Sequence, residues 1–319
     1  MGDVEQNFSS MSDDRREYVA AVAALTRLDE AQKHVSLSGK TYVPSALRRE
    51  AIAAASLEGA LVRQEALCRL LGDRYATNAG RAARLTADIH DAMKMVMEWP
   101  TSAPDAALII QTFFASDASS GRLMRPDVTW SLEDDATWMA EELSLLAETA
   151  EPWTAGETLR RIWVSGRFFG TSRRMAAIAA IWAVPKGFGC SLPAFGLTAQ
   201  FATESETLRN SSHDKDSWST LFASSIAAGC SEELVKLSDS LAARASLLAL
   251  CPPGRSSSSI EAAIDFLFTN PVFTAKQLSD SLGLTSRGAK VVLDKLLESN
   301  VVEAENVSRN RKYICRRVM

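Results

Sequence analysis

The sequence predicts a mostly α-helical protein, in which a large helical bundle precedes a small domain with one β-hairpin. Residues 15–250 are rich in Ala, Leu, Arg and Glu, and their apolar members recur at helical spacing. Alternating runs of β-type residues are nearly absent before the last twenty residues. Between the two parts, Cys251-Pro-Pro-Gly-Arg-Ser-Ser-Ser-Ser has the composition of a linker.

These patterns divide the chain into four parts. Residues 1–14 are polar and are predicted to be a disordered tail. Residues 15–250 form the helical domain, residues 251–257 the linker, and residues 258–319 the small domain. Within the helical domain, breaks are expected at Pro44, residues 100–104, Pro126, Pro152 and residues 185–189. The predicted helices span residues 14–33, 44–72, 76–98, 133–148, 156–168, 172–183, 216–229 and 232–249.

Composition limits the function classes. A net charge of −4 over 319 residues excludes a protein that binds polyanions with its whole surface, so any nucleic-acid contact must be local. The acidic N-terminus and the ten-residue limit of the longest apolar run, Met175 to Val184, predict a cytoplasmic protein without a membrane span. Five scattered cysteines and three distant histidines indicate reduced thiols, no metal site and no cofactor.

The small domain starts with two capping boxes. Ser258-x-x-Glu261 is expected to open a first helix, which Asn270-Pro271 ends, and Thr274-x-x-Gln277 to open a second. Gly283 then supplies a turn, and Thr285 can cap a third helix that runs to about residue 299.

The third helix has one apolar and one polar face. Arg287, Lys290, Val291 and Lys295 point outward, and the inner face consists of Ala289, Val292, Leu293 and Leu296. Asn300 suits the left-handed residue that ends a helix. Val301-Val302 and Tyr313-Ile314 are predicted as strands around a basic tip, residues 308–312. Three helices followed by a basic hairpin are typical of a winged helix-turn-helix domain.

A winged helix commonly places its third helix in the major groove of DNA and its wing on phosphates. The predicted contacts to double-stranded DNA are Thr285, Ser286, Arg287, Lys290 and Lys295 on the third helix, and Arg309, Arg311 and Lys312 on the wing. Residues 307–319 hold five arginines and lysines and no acid. However, residues 256–319 hold nine basic and seven acidic residues, a modest net charge of +2, so a protein-interaction module remains the alternative.

Several stretches in order resemble a Fic-domain protein with an appended winged helix. The stretch from Arg49 to Glu58-Gly59 resembles the inhibitory-helix segment of that family. Residues 165–173, Ser-Gly-Arg-Phe-Phe-Gly-Thr-Ser-Arg, lie where the signature HPFxxGNGR would fall, before an apolar helix. Residues 189–197, 216–248 and 270–314 resemble the segments that follow. More narrowly, the chain is similar to a Fic-like group found in rhizobia.

The resemblance implies the Fic scaffold, whose members transfer AMP from ATP to a hydroxyl group, but this signature is degenerate. Ser165 stands in place of the histidine that acts as base, and a serine hydroxyl cannot take that role near neutral pH. Thr171 replaces the asparagine, Ser172 replaces the second glycine, and Ala176 stands where a further arginine is expected. The sequence therefore predicts a protein that is not an enzyme and has no catalytic residues.

A remnant of the family's site is a further expectation. Gly170, Arg173 and Arg174 begin a helix, where backbone N–H groups favour an anion or a nucleotide. Without its usual partner, Glu58 of the inhibitory-type motif Glu58-Gly59 is either a surface residue or paired with Arg173 or Arg174.

The favoured function is a DNA-binding transcriptional regulator built on a degenerate Fic-like scaffold, whose helical body forms a homodimer or senses a small molecule or nucleotide. Two alternatives stay open. One is a nucleotide-binding or AMP-transferring Fic-type enzyme, and the other is a protein-interaction adaptor.

Overall fold

The computed structural model describes residues 13–35, 38–73, 79–98, 105–115, 126–251, 257–307 and 310–319. These residues form a mostly helical chain with one small antiparallel sheet, so the predicted mostly-α class is confirmed. Residues 1–12 of the predicted tail and residues 252–256 of the predicted linker lie outside the described residues.

Twelve helices can be traced in the described part of the body. They are α1 (Asp13–His34), α2 (Ser38–Ser56), α3 (Gln64–Gly72), α4 (Arg81–Met97), α5 (Ala106–Phe113), α6 (Pro126–Thr149), α7 (Pro152–Val164), α8 (Arg167–Gly170), α9 (Ser172–Gly187), α10 (Leu197–Thr203), α11 (Ser205–Ser211) and α12 (Lys215–Leu250). The apolar helix α9 is buried along nearly its whole length and packs against α7 and α4. It forms the centre of the helical core.

Helix α12 corrects the prediction of two helices over residues 216–229 and 232–249. It is one continuous helix of 36 residues, and α1 packs along it. Gly229 lies inside α12, where a Cβ atom would come within 2.7 Å of the Gly196 carbonyl carbon. A glycine is therefore needed at this position because the chain at Gly196 approaches α12 closely.

Two further helix boundaries differ from the prediction. Pro44 lies inside α2 rather than at its start, and residues 57–63 separate α2 from α3 where one helix was expected. Helices α5, α10 and α11 were not predicted. Each has only seven or eight residues, too few for a periodic pattern to stand out.

Residues 257–319, here called the C-terminal unit, contain α13 (Ser257–Thr269), β1 (Val272–Thr274), α14 (Ala275–Leu282), α15 (Ser286–Glu298), β2 (Glu303–Val307) and β3 (Asn310–Ile314), followed by a 3₁₀ turn, Arg316–Val318. The strands are antiparallel in the order β1-β3-β2. Phe273 pairs with Tyr313 and Ala304 pairs with Tyr313 from the other side. Strand β1 was not predicted, because three residues give no alternation that the sequence alone can show.

The local signals in the C-terminal unit are mostly confirmed. Thr274 and Gln277 form the predicted capping box, and Gly283 adopts the left-handed conformation after α14. Asn300 also has a positive φ, of 52°. Two predictions were wrong. Ser258 lies inside α13, with Glu261 bonded by Arg244 instead of closing a cap, and Val301-Val302 are buried residues that precede β2.

The C-terminal unit packs against the body and is hydrogen-bonded to it. Leu247 of α12 belongs to the same apolar cluster as Ile264, Leu293 and Tyr313. The Arg48 guanidinium, fully buried in α2, donates to the carbonyl oxygens of Phe268 at 2.8 Å and of Thr269 and Val318 at 3.3 Å. One buried side chain thereby satisfies the carbonyl groups at the end of α13 and at the 3₁₀ turn.

Candidate functional site

Helix α15 presents an exposed face that starts at its N-terminal cap. The Thr285 hydroxyl accepts a hydrogen bond from the Gly288 N–H at 3.1 Å. Thr285, Ser286, Arg287 and Lys290 are all exposed. The opposite face is buried against α13, α14 and the sheet through Ala289, Val292, Leu293 and Leu296. The predicted division of this helix into an inner and an outer face is confirmed.

The exposed positive charges of α15, Arg287 and Lys290, both lie in the N-terminal half of its outer face. Neither Arg287 nor Lys290 forms an ion pair with any residue that the structure describes. Val291 lies one helical turn after Arg287 on the same face and is 47 % exposed. Toward the C-terminal end of α15, Asp294 is exposed, and Lys295 is half-buried and already has a partner within the protein. A ligand that needs both cations and an apolar contact would meet them at residues 285–291.

Strand β3 places its two described basic residues, Arg311 and Lys312, on opposite faces of the sheet. Tyr313 belongs to the core of the C-terminal unit, whereas Ile314 packs with Cys68 of α3 on the other side. Because side chains alternate along a strand, Arg311 shares the face of Tyr313 and Lys312 shares the face of Ile314. Arg311 is exposed, and its guanidinium lies 5.6 Å from the centre of the Tyr313 ring.

Lys312 points to the body rather than to solvent. Its ammonium is 3.0 Å from a carboxylate oxygen of Asp73, and its side chain is 14 % exposed. The sequence placed Lys312 with Arg309 and Arg311 on one phosphate-contacting tip, and the structure brings only Arg311 to the exposed face. Arg309 lies outside the described residues.

Helix α3 contacts the same face of the sheet as Asp73 does. Arg69 bonds Glu305 of β2 at 2.5 Å and Glu65 at 2.8 Å, and Arg316 bonds Glu65 at 3.0 Å. Hydrogen bonding from Arg69 lowers the pKa of both the Glu65 and the Glu305 carboxyl groups. Gln277 of α14 also donates to the Gly72 carbonyl at 2.8 Å. The outer face of the sheet is therefore covered by the body.

A second candidate site is the segment of α8 before α9, a single short turn with an uncommon backbone. Phe168 and Phe169 adopt left-handed angles, with φ of 58° and 53°, and Gly170 follows with φ of 77°. Each non-glycine residue in this region costs about 1–2 kcal/mol. Asp135 of α6 offsets that cost, because its carboxylate accepts from the Phe168 N–H at 2.7 Å and from the Arg167 guanidinium at 2.9 Å.

The two serines that flank this segment are engaged in structural hydrogen bonds. The Ser165 hydroxyl donates to the Ile162 carbonyl at 2.9 Å and accepts from the Arg167 N–H at 3.2 Å. The Ser172 hydroxyl is buried and donates to the Trp163 carbonyl at 3.0 Å, which ties α9 to α7. Ser165 therefore caps the end of α7.

Glu58 is paired with Arg174, one of the alternatives that the sequence left open. The two side chains approach to 3.1 Å and are 16 % and 9 % exposed. Arg174 also donates to the carbonyl oxygens of Ala55 and Glu58, at 3.3 and 3.4 Å. Burial raises the pKa of the Glu58 carboxyl, and the charge of Arg174 opposes that rise.

Arg173 also lies near Glu58, since its charge and its backbone N–H, like those of Arg174, oppose the rise in the pKa of that carboxyl. Arg173 lies over the Trp163 ring, 5.7 Å from its centre, and Gly170 is exposed at the turn. Gly59 has a φ of 83° and lets the chain leave α2 beside Glu58. Both arginines thus have contacts within the protein.

Sequence reasoning missed Asp135, Arg48 and the role of α3. Asp135 lies 32 residues from Arg167, whose side chain it binds, and 33 residues from Phe168, whose N–H it binds. Arg48 lies more than 200 residues from its three acceptors. No local pattern signals such partners. Val291 did carry a signal, since it follows Arg287 by one helical turn on a face assigned to DNA.

None of the described helices is long and apolar enough to cross a membrane, and among the described residues no group of three or more His, Cys, Asp or Glu side chains could hold a metal ion. The five cysteines are free thiols. No protein-family model matches the chain, and no curated protein matches it in sequence.

Proposed function

We propose that the protein is a DNA-binding regulator, in which the C-terminal unit is a winged helix and α15 enters the major groove. The observation that carries this proposal is the exposed face at residues 285–291, where Arg287 and Lys290 have no acidic partner among the described residues. An unpaired arginine or lysine is free to neutralise a phosphate or to bond a guanine edge.

The order of groups along α15 also fits such a contact. Recognition helices commonly reach base edges with their N-terminal residues. Here Thr285 and Ser286 lie at the N-terminus with Arg287 one residue on, and the acidic residues Asp294 and Glu298 follow only in the second half. Exposed Val291 offers a methyl contact of the kind that distinguishes thymine.

In this proposal the wing contributes through Arg311 and not through Lys312. Arg311 lies on the α15 side of the sheet and is exposed, whereas Lys312 is held by Asp73 on the body side. The two are neighbours on one strand, which makes them a matched pair for experiment.

The test is a titration of full-length protein with a pool of duplexes carrying a randomised core, at about 50 and about 200 mM salt, followed by selection of the bound sequences. Arg287→Ala should weaken the selected site by about 1–3 kcal/mol and relax one base position. Arg311→Ala should weaken all duplexes alike and flatten the salt slope by about one unit.

Two controls keep the test specific. Lys312→Ala should leave the affinity for DNA unchanged, and so should Lys94→Ala, which removes an exposed lysine of α4. If the protein binds no duplex at low salt, or if the Arg287→Ala Lys290→Ala double variant binds as wild type does, the adaptor alternative replaces this proposal.

We also propose that the body is a Fic-like scaffold without AMP transfer. What supports this is the state of Ser165, whose hydroxyl is already committed to the Ile162 carbonyl and has no basic partner within the described segment. Without a base at this position, the hydroxyl of a target would not be activated.

A further inference from the structure

The exposed side of α1 carries an apolar groove that the described part of the chain leaves open. Arg15, Tyr18, Val19, Val22, Ala23, Pro152 and Trp153 line a cavity of about 560 Å³. Val19 is 39 %, Val22 40 % and Trp153 52 % exposed. Among the described residues of this lining, Arg15 is the only charged one. A surface of this composition is typical of a contact with another protein.

The position of the groove on α1 restricts what can cover it. The inner side of α1 packs on α12 through Ala21, Leu25 and Leu28, which are fully buried. The outer side of α1 therefore forms a ridge along one edge of this groove, about 33 Å long for 22 residues, with the apolar residues in its middle. Such a ridge fits another helix of similar length.

Charges at the two ends of the ridge favour a second copy of α1. Arg15, near the N-terminal end, is exposed and forms no ion pair with a described residue. Glu30, near the C-terminal end, has a side chain that is 52 % exposed and pairs with Lys33 of its own helix at 3.0 Å through one carboxylate oxygen, so the second oxygen can accept a further cation. When two α1 helices cross antiparallel about a two-fold axis between Val22 and Ala23, Arg15 of each chain lies level with Glu30 of the other.

We propose that this groove is the interface of a homodimer, in which two α1 helices pack antiparallel and the Trp153 side chains cover the seam. A two-fold interface uses the same patch on both chains, so each Arg15–Glu30 contact and each Trp153 contact occurs twice. Ala20 and Ala23, both exposed and small, allow the helix axes to approach closely. This proposal does not depend on DNA binding.

The experiment is sedimentation equilibrium of the full-length protein at several concentrations up to about 50 μM, a range that detects dimers of ordinary affinity. Wild type is expected to be dimeric. Val22→Glu puts two like charges at the axis and should make the protein monomeric, while circular dichroism shows unchanged helix content. Lys94→Gln, which also lowers the charge by one unit but at an exposed position of α4, should have no effect.

Charge exchange tests the antiparallel register directly. Arg15→Glu and Glu30→Arg should each weaken dimerisation by roughly threefold to thirtyfold, because every change affects two symmetric ion pairs. The double variant Arg15→Glu Glu30→Arg should recover most of the lost affinity. A monomeric wild type, a dimer indifferent to Val22→Glu, or a double variant no better than the single ones would each overturn the proposal.

Discussion

Replacing Arg48 tests directly what holds the C-terminal unit against the body. Its guanidinium is buried without a carboxylate partner among the described residues, and burial lowers the pKa of this arginine. It donates instead to three backbone carbonyls that come from α13 and from the last residues of the chain. Replacing Arg48 by Met keeps most of the side-chain volume and removes all three donors.

The expected loss can be worked out from these contacts. A buried acceptor left without a donor costs about 1–3 kcal/mol. The bond to Phe268 is short at 2.8 Å, while those to Thr269 and Val318 are both 3.3 Å and hence weaker. Removing the buried charge of Arg48 offsets part of this loss of stability. The Arg48 Nε makes no hydrogen bond, so its removal adds nothing to the loss. We expect Arg48→Met to lower the free energy of unfolding by about 2–4 kcal/mol.

Urea unfolding followed by circular dichroism measures this loss, with limited proteolysis near residue 252 as a second readout of undocking. Arg63→Met is the matched control, because Arg63 is exposed and its replacement should change stability by no more than about 0.5 kcal/mol. If Arg48→Met unfolds at the wild-type urea concentration and is cleaved at the wild-type rate, Arg48 does not anchor the C-terminal unit.

Three further predictions follow from single buried or engaged groups. Burial raises the pKa of Glu50 above 4.5, so the contribution of Glu50 to stability is present below that pH and is lost as the pH rises through the folded-state pKa. Glu50→Gln should therefore be more stable than wild type in urea at pH 7.5, by about 1.4 kcal/mol per unit of pKa shift. Equal stability of the two proteins at both pH 7.5 and pH 4 would contradict this. Asp135→Ala should release the left-handed turn and destabilise the fold by about 2–4 kcal/mol, since the Phe168 N–H and the Arg167 guanidinium lose a buried acceptor. Asp134 is exposed, so Asp134→Ala should be neutral in the same unfolding assay. Incubation with labelled ATP, alone or with candidate targets, should give no AMP incorporation because Ser165 cannot act as base; label that disappears in Arg173→Ala would show that a working transfer site exists.

Features encoded over a few residues were predictable from the sequence. The capping box of Thr274 and Gln277, the left-handed Gly283 and Asn300, and the buried face of α15 all depend on neighbours within one or two helical turns. Local hydrogen bonding and helical periodicity fix these features wherever the segment is placed. The same logic predicted the exposed face with Arg287 and Lys290.

Other features depend on parts of the chain that meet only in the fold. Gly229 lies inside α12, where the close approach of Gly196 leaves no room for a Cβ atom. Lys312 belonged to a basic run, yet its position on β3 aims it at Asp73. Strand alternation and helix packing decide which way each of these residues faces, and a partner 239 residues away leaves no trace in the local pattern. The sequence by itself determined the mostly helical class, the caps at Thr274 and Thr285 and the two faces of α15, whereas tertiary packing decided the lengths of several helices and which cations remain free to bind.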